Sequence, residues 1–268
     1  MIKLIALDLD GTLLDPQGKI TQGAKEAIST ARKAGIKVVL NTGRPIPEAI
    51  HFAKEAGCDE LLSCLGGAAL VDAKKGEVLC RRDIAQPYGS HALELCLGRE
   101  IELMIFMGNE IVLDRFSKES LLRTYPYPVF HYNCVVVDDP LEYMKEKELP
   151  LTKIHGDWNP KNYPLKELGE LPGVALTRAS DHDFEVVANG VDKGNMLARL
   201  ALLYGIGLQD CAAVGDSDND LGMLRVVGTP IAMGNASEQV KQAACRVSDT
   251  NGQEGVAKAI LGCIQPER

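Results

Sequence analysis

Lys3-Leu4-Ile5-Ala6-Leu7-Asp8-Leu9-Asp10-Gly11-Thr12-Leu13-Leu14 opens the chain with an almost unbroken apolar run that meets two aspartates and a glycine. A run of this kind, bounded by turn residues, is how a strand buried on both faces of a parallel sheet reads. Such a strand should carry no charge, yet Asp8 and Asp10 stand at its carboxyl end, spaced i and i+2. On a strand that spacing sends both side chains from one face, about 7 Å apart. Two carboxylates this close and partly desolvated raise each other's pKa unless a cation or a shared proton compensates. Open α/β sheets hold ligands at the carboxyl ends of their strands, so the pair predicts a binding site.

Working outward, Asp15-Pro16-Gln17-Gly18 is turn chemistry. From Thr21, Ala24, Ala27, Ile28, Ala31 and Ala34 recur at helical spacing, and Gly35 supplies the stop. Lys37-Val38-Val39-Leu40-Asn41 reads as the next strand and runs into Thr42-Gly43-Arg44-Pro45. Pro47 then opens a helix that ends near Gly57, because proline suits the first helical turn. Glu60-Leu61-Leu62-Ser63-Cys64 is a third strand, followed by Gly66-Gly67-Ala68. Strands alternating with helices in this way predict an α/β fold with a doubly wound, mostly parallel, Rossmann-like sheet.

The pattern changes near Ile84. As far as His182 there is one helical stretch near Tyr88 to Leu97, with strand-like runs at Ile101 to Met107, Glu110 to Leu113 and Cys134 to Val137. Prolines cluster here, and so does the only tryptophan, Trp158. The α/β pattern returns with Phe184-Glu185-Val186-Val187, a helix from Lys193 to Tyr204, and the strand Cys211-Ala212-Ala213-Val214. Strand-like runs at Pro230 to Met233 and Arg246 to Ser248 and a helix at Glu254 to Leu261 follow. The expected organisation is a core of residues 1–83 plus 183–268, interrupted by an α+β module at 84–182.

A net charge of −8 and a pI near 5.2 argue against nucleic acid or an anionic membrane as the main partner. The eight cysteines form no CxxC pair, and most lie in apolar runs, which suggests a reducing compartment. An aspartate interrupts the N-terminal apolar run too early for a signal peptide, and no segment reaches the ~18 apolar residues of a membrane span. A cytoplasmic protein, monomer or homodimer, is the expectation.

The second strand end that carries chemistry is Gly215-Asp216-Ser217-Asp218-Asn219-Asp220. Its three aspartates repel one another, and a divalent cation would relieve that; oxygen-only donors favour magnesium over zinc. An EF-hand reading fails, because Leu221 stands where the loop needs glycine and Val227 where it needs glutamate. Alone the run reads as a solvated acidic turn; with Asp8 and Asp10 at another strand end it reads as a site. Lys193 sits at a helix start, where a cation opposes the macrodipole and an anion would remove the conflict. Paired at the surface with Asp192 it would be structural instead. Thr42 and Gly43 offer a hydroxyl and N–H groups to a phosphoryl oxygen, or form an ordinary turn; Arg44 either clamps substrate or faces solvent. None of the five histidines has metal-ligand spacing, and neither GxSxG nor a Walker-type loop is present.

Asp8-Leu9-Asp10-Gly11-Thr12, Thr42-Gly43-Arg44, Lys193-Gly194 and Gly215-Asp216-Ser217-Asp218-Asn219-Asp220 together resemble, in order, the four motifs of the haloacid dehalogenase superfamily of phosphohydrolases. The insert resembles the cap of its Cof-like, type IIB branch. The resemblance implies that Asp8 attacks phosphorus to give an aspartyl-phosphate, and that Asp10 protonates the leaving oxygen and later deprotonates water. It implies Mg2+ held by the Asp8 carboxylate, the Asp10 backbone carbonyl and Asp216, with Asp220 just outside. Phosphoryl oxygens would be held by the Leu9 backbone, Thr42, Gly43, Lys193 and Asn219. Where relatives of this branch often have Asn-Gly-Ala, this chain has Gly66-Gly67-Ala68, so one side chain that could touch substrate or cap is absent. The function expected from the resemblance is a phosphatase acting on a small phosphorylated metabolite such as a sugar phosphate. A sugar phosphomutase and a non-enzymatic Asp-phosphorylated signalling module are the alternatives.

Overall fold

The computed structural model of the chain describes residues 1–157, 159–177 and 182–264, so Trp158 lies outside the described residues. The chain divides into two compact units, Met1–Cys80 with Asp192–Arg268, and Arg81–Val191. The first segment contributes β1 (Leu4–Leu7), β2 (Lys37–Leu40), β3 (Leu61–Cys64), β4 (Ala69–Asp72) and β5 (Glu77–Arg81). The insert contributes β6 (Glu102–Met107), β7 (Glu110–Leu113), β8 (Cys134–Val136), β9 (Leu151–Asp157), β10 (Val174–Thr177) and β11 (Phe184–Ala188). The returning segment contributes β12 (Cys211–Gly215), β13 (Thr229–Ala232) and β14 (Arg246–Val247).

In the first unit a parallel sheet runs β14-β13-β12-β1-β2. Every residue of β1 is fully buried, which explains why its sequence is apolar without alternation. Truncating one of its leucines to alanine would cost on the order of 2–5 kcal/mol. From β1 the chain winds outward to β2 on one side, whereas β12 on the other side leads to β13 and β14. The carboxyl ends of β1 and β12 therefore flank the topological switch point, where a crevice opens. β3 follows β2 through one parallel bridge, Asn41 to Ser63, then pairs antiparallel with β4 in a separate three-stranded sheet that β5 completes.

The helices form where the periodicity places them. Thr21 caps Gln22–Lys33 by accepting from the Ala24 N–H, and Ala24, Ala27, Ile28 and Ala31 are buried. The helix Ile46–Ala56 carries its proline in the first turn and ends at Gly57, whose φ of 74° is left-handed. The last helix runs Gly255–Ile264.

The second unit has one six-stranded sheet, ordered β10-β11-β9-β6-β7-β8 and antiparallel except for the β7–β8 pair. Phe184-Glu185-Val186-Val187, expected to begin the return to the parallel sheet, is instead β11, between β9 and β10. An apolar run reports burial but not the partner strand, so the unit extends over Arg81–Val191 rather than 84–182. β9 was not anticipated, because Lys153, His155 and Gly156 break its apolar character. Each has a local reason. Lys153 is buried but donates to Glu185 Oε1 at 2.5 Å, with His155 Nδ1 3.6 Å from the same oxygen. A Cβ on Gly156 would lie 2.2 Å from the Phe184 ring.

Candidate active site

β1 stops at Leu7, and the Asp8 N–H donates to the Val214 carbonyl at 3.0 Å, the last rung beside β12. The chain then makes a wide turn, Leu9–Leu13, around Gly11, whose φ is 76°. Only glycine fits there: besides the left-handed backbone, a Cβ would lie 2.3 Å from Asp216 Oδ2. Asp10 is thus in a turn and not on a strand, and the expected same-face pairing of the two carboxylates does not hold. Asp8 is buried. Asp10 is half exposed and takes a two-pronged hydrogen bond from Arg44, Nη2 to Oδ1 at 2.6 Å and Nε to Oδ2 at 2.8 Å. Behind it, Arg44 Nη1 lies 3.4 Å from the buried Glu48 carboxylate.

The end of β12 is arranged by Asp220. Its Oδ2 accepts from the backbone N–H groups of Asp216 at 2.9 Å and Ser217 at 3.1 Å, folding the acidic run back on itself. Gly215 is required, because a Cβ there would sit 2.5 Å from the Asp220 carboxyl carbon. The fold-back buries Asp220 completely and leaves Asp218 exposed, where it accepts from Ser237. Asp216 Oδ1 accepts from Thr12 Oγ1 at 3.0 Å.

Lys193 begins the helix Lys193–Leu203, with Asp192 as the capping residue accepting from the N–H groups of Gly194 and Asn195. The alternative of a surface pair with Asp192 does not occur. Lys193 is 1% exposed, and its Nζ donates to Asp8 Oδ1 at 2.6 Å, Asp220 Oδ1 at 2.7 Å and Asn219 Oδ1 at 2.9 Å. All three donor positions of the ammonium are used, so the side chain is fixed.

Asp8, Asp216 and Asp220 each offer a carboxylate oxygen within 4.8 Å of the others. One ammonium does not balance three carboxylates, of which Asp8 and Asp220 are buried and Asp216 partly so. Burial, then Asp220, push the Asp8 carboxyl well above its usual range against the pull of Lys193. Burial and Asp220 likewise bring Asp216 up to about 7, opposed by the Thr12 hydroxyl. Burial alone would lower Lys193, but Asp220 and Asp8 outweigh it and hold the ammonium protonated. This negative surplus, made entirely of hard oxygen donors, fits a divalent cation.

The other residues named from sequence lie at the same carboxyl edge of the sheet. Leu9 is buried in the turn that follows Asp8, and its carbonyl accepts from the Leu14 N–H. Thr42 is buried after β2; its N–H donates to Ser63, and its hydroxyl accepts from the Arg44 N–H. Gly43 lies between Thr42 and Arg44. Sequence reasoning missed Asn235, whose Nδ2 donates to the Gly11 carbonyl at 2.9 Å and lies 3.4 Å from Asp216 Oδ2. The available signal was its place just past β13, at a third strand end of the same sheet.

A family model described as haloacid dehalogenase-like hydrolase matches residues 5–260. The chain is 28% identical to phosphatase YwpJ of Bacillus subtilis, over 96% of this chain and 98% of that protein. It is 31% identical to an HMP-PP phosphatase of Klebsiella pneumoniae, over 90% and 87%. Among solved structures, a haloacid dehalogenase-like hydrolase from B. subtilis superposes with a TM-score of 0.85 at 27% identity, covering 97% of this chain and 99% of that one. With a match over nearly its whole length, and with its four sequence stretches gathered at one edge of one sheet, the chain belongs to the haloacid dehalogenase-like hydrolase family.

Proposed function

We propose that this chain is a magnesium-dependent phosphatase that hydrolyses a small phosphorylated metabolite through an aspartyl-phosphate on Asp8. The observation that carries the reading is Lys193 Nζ held 2.6 Å from Asp8 and 2.7 Å from Asp220, beside Asp216. A buried carboxylate is a poor nucleophile unless its charge is sustained, and here an ammonium touches it directly. The phosphatase names of the relatives described above favour a phosphoric ester over other hydrolysable bonds.

Asp8 attacks phosphorus, the bond from phosphorus to the ester oxygen breaks, and Asp10 delivers a proton to that leaving oxygen. Asp10 then takes a proton from water, which attacks the phosphorus of the aspartyl-phosphate and frees inorganic phosphate and Asp8. In the conformation described, the Asp10 carboxylate is committed to Arg44, so proton delivery requires that pair to open. Lys193, on exchanging its Asn219 contact for the phosphoryl group, would align the phosphoryl oxygens together with Asn219, Thr42 and the backbone at Leu9 and Gly43. Asp8, the Asp10 carbonyl and Asp216 would hold Mg2+, with Asp220 alongside; the cation would offset carboxylate repulsion and neutralise phosphoryl charge.

Eight free thiols, four of them buried, and the absence among the described residues of any helix long and apolar enough to cross a membrane fit a cytoplasmic setting. The deciding experiment is a screen of phosphorylated metabolites with Mg2+, scored by release of inorganic phosphate. Turnover of at least one small phosphoester is expected. Transfer to a second hydroxyl without phosphate release, or no turnover at all, would overturn the proposal.

A further inference from the structure

Asn41 follows directly on β2 in a fully buried position, where a polar side chain is costly. Its Nδ2 donates to the Lys193 backbone carbonyl at 2.9 Å, across 152 residues of sequence, and lies 3.6 Å from Met223 Sδ. Its Oδ1 finds no partner, and neither does Oγ of Ser63, the residue bridged to it on β3. The opposite orientation of the carboxamide would set its oxygen against the Lys193 carbonyl, so the donor must face the helix start. A buried amide with one unpartnered atom gains nothing over leucine from the hydrophobic core. What it gains is a fixed link to the residue that bears the ammonium.

The rest of that helix start is fitted backbone to backbone. A Cβ on Gly67, whose φ is +96°, would lie 2.2 Å from the Asp192 carbonyl, and one on Gly194 would lie 2.3 Å from the Gly222 carbonyl. Backbone thus closes on both flanks of Lys193, while Asn41 supplies a directional hold on the peptide that carries Nζ. We infer that Asn41 is a positioning residue for Lys193, setting the reach of its ammonium toward Asp8 and the phosphoryl group. The inference rests on the phosphatase reading above and extends it to a residue that touches neither substrate nor cation.

The test uses the full chain with Mg2+, an aryl phosphate substrate and inorganic phosphate as competitive inhibitor. Asn41→Ala removes the donor, and Asn41→Val removes it while keeping the strand position filled. Both are expected to lower kcat/KM by about tenfold or more and to raise the inhibition constant for inorganic phosphate in parallel, since small misplacements of an aligned group are costly. Ser63→Ala, which deletes an equally buried neighbouring hydroxyl, is expected to leave both quantities unchanged. Asn41 variants within about twofold of the wild type in both, or with kcat reduced but phosphate inhibition unaltered, would overturn the inference while the phosphatase reading stands. A wild-type chain that neither hydrolyses a phosphoester nor binds phosphate would overturn that reading, and this inference with it.

Discussion

Stripping the divalent cation should make the protein less stable as the pH rises, and adding Mg2+ should remove most of that slope. The cause lies in Asp216, pushed up to about 7 by burial and by Asp220 from an ordinary 3.8, with Asp8 raised in the same direction. A group whose folded-state pKa exceeds its unfolded value contributes stability that is complete below the unfolded value and is lost as pH climbs through the folded one. For Asp216 the window therefore runs from 3.8 to about 7. One pH unit within it corresponds to ~1.4 kcal/mol, so going from about pH 5 to about pH 7 costs the metal-free protein up to roughly 3 kcal/mol from this group alone.

In a chain of this size that is a drop in melting temperature of about 6–12 °C. A bound cation competes with protons for the same oxygens, so its stabilisation must grow with pH. Scanning fluorimetry in chelator and in Mg2+ at matched pH measures the difference, and subtraction cancels titrating groups elsewhere in the molecule. Asp216→Asn should raise the metal-free melting temperature near neutral pH and flatten the slope, while impairing turnover. A Mg2+-induced shift that stays constant or shrinks between about pH 5 and about pH 8 would refute the reasoning that three carboxylates share one cation there.

Asp8→Asn should abolish phosphate release, with the circular dichroism spectrum unchanged; retained activity would remove Asp8 as nucleophile. Asp10→Ala should slow turnover by about 10²- to 10⁴-fold, measured as steady-state phosphate release with Mg2+. In the inserted unit, Glu185→Gln should destabilise by about 3–5 kcal/mol in chemical denaturation, because it leaves Lys153 charged and buried. Burial raises Glu185, but Lys153 and His155 carry it well below its ordinary 4.5, so its stabilising contribution is present above that value and disappears as pH falls through the lowered one.

The parallel sheet was legible because β1, β12 and all of β2 beyond Lys37 are buried on both faces and therefore apolar, with aspartates following two of these strands. Asp8 and Asp216 could be associated from sequence because both follow such strands, and the register Leu7 to Val214 sets those ends side by side. What stayed hidden depended on partners far along the chain. Lys193 could be named from sequence as an anion seat, but not its direct contacts with Asp8 and Asp220. Asn41 and Arg44 had no local periodicity to betray them, and the role of each is defined by a residue tens to hundreds of positions away. β9 escaped for the same reason, since Lys153 is tolerable in a buried sheet only with Glu185 beside it, whereas β11 reads as a strand whose partners its own residues do not name.

The position of β1 between β2 and β12 has a bearing on biosynthesis. Its inner neighbour, β12, begins at Cys211, so the whole insert must be translated before the ladder between them can close. Until then the Leu4–Leu7 segment has only β2 for company, and its other hydrogen-bonding edge faces solvent or a chaperone. Premature termination anywhere within the insert should therefore release a nascent polypeptide prone to clump, with Asp8 present but none of the groups that would fix it in place.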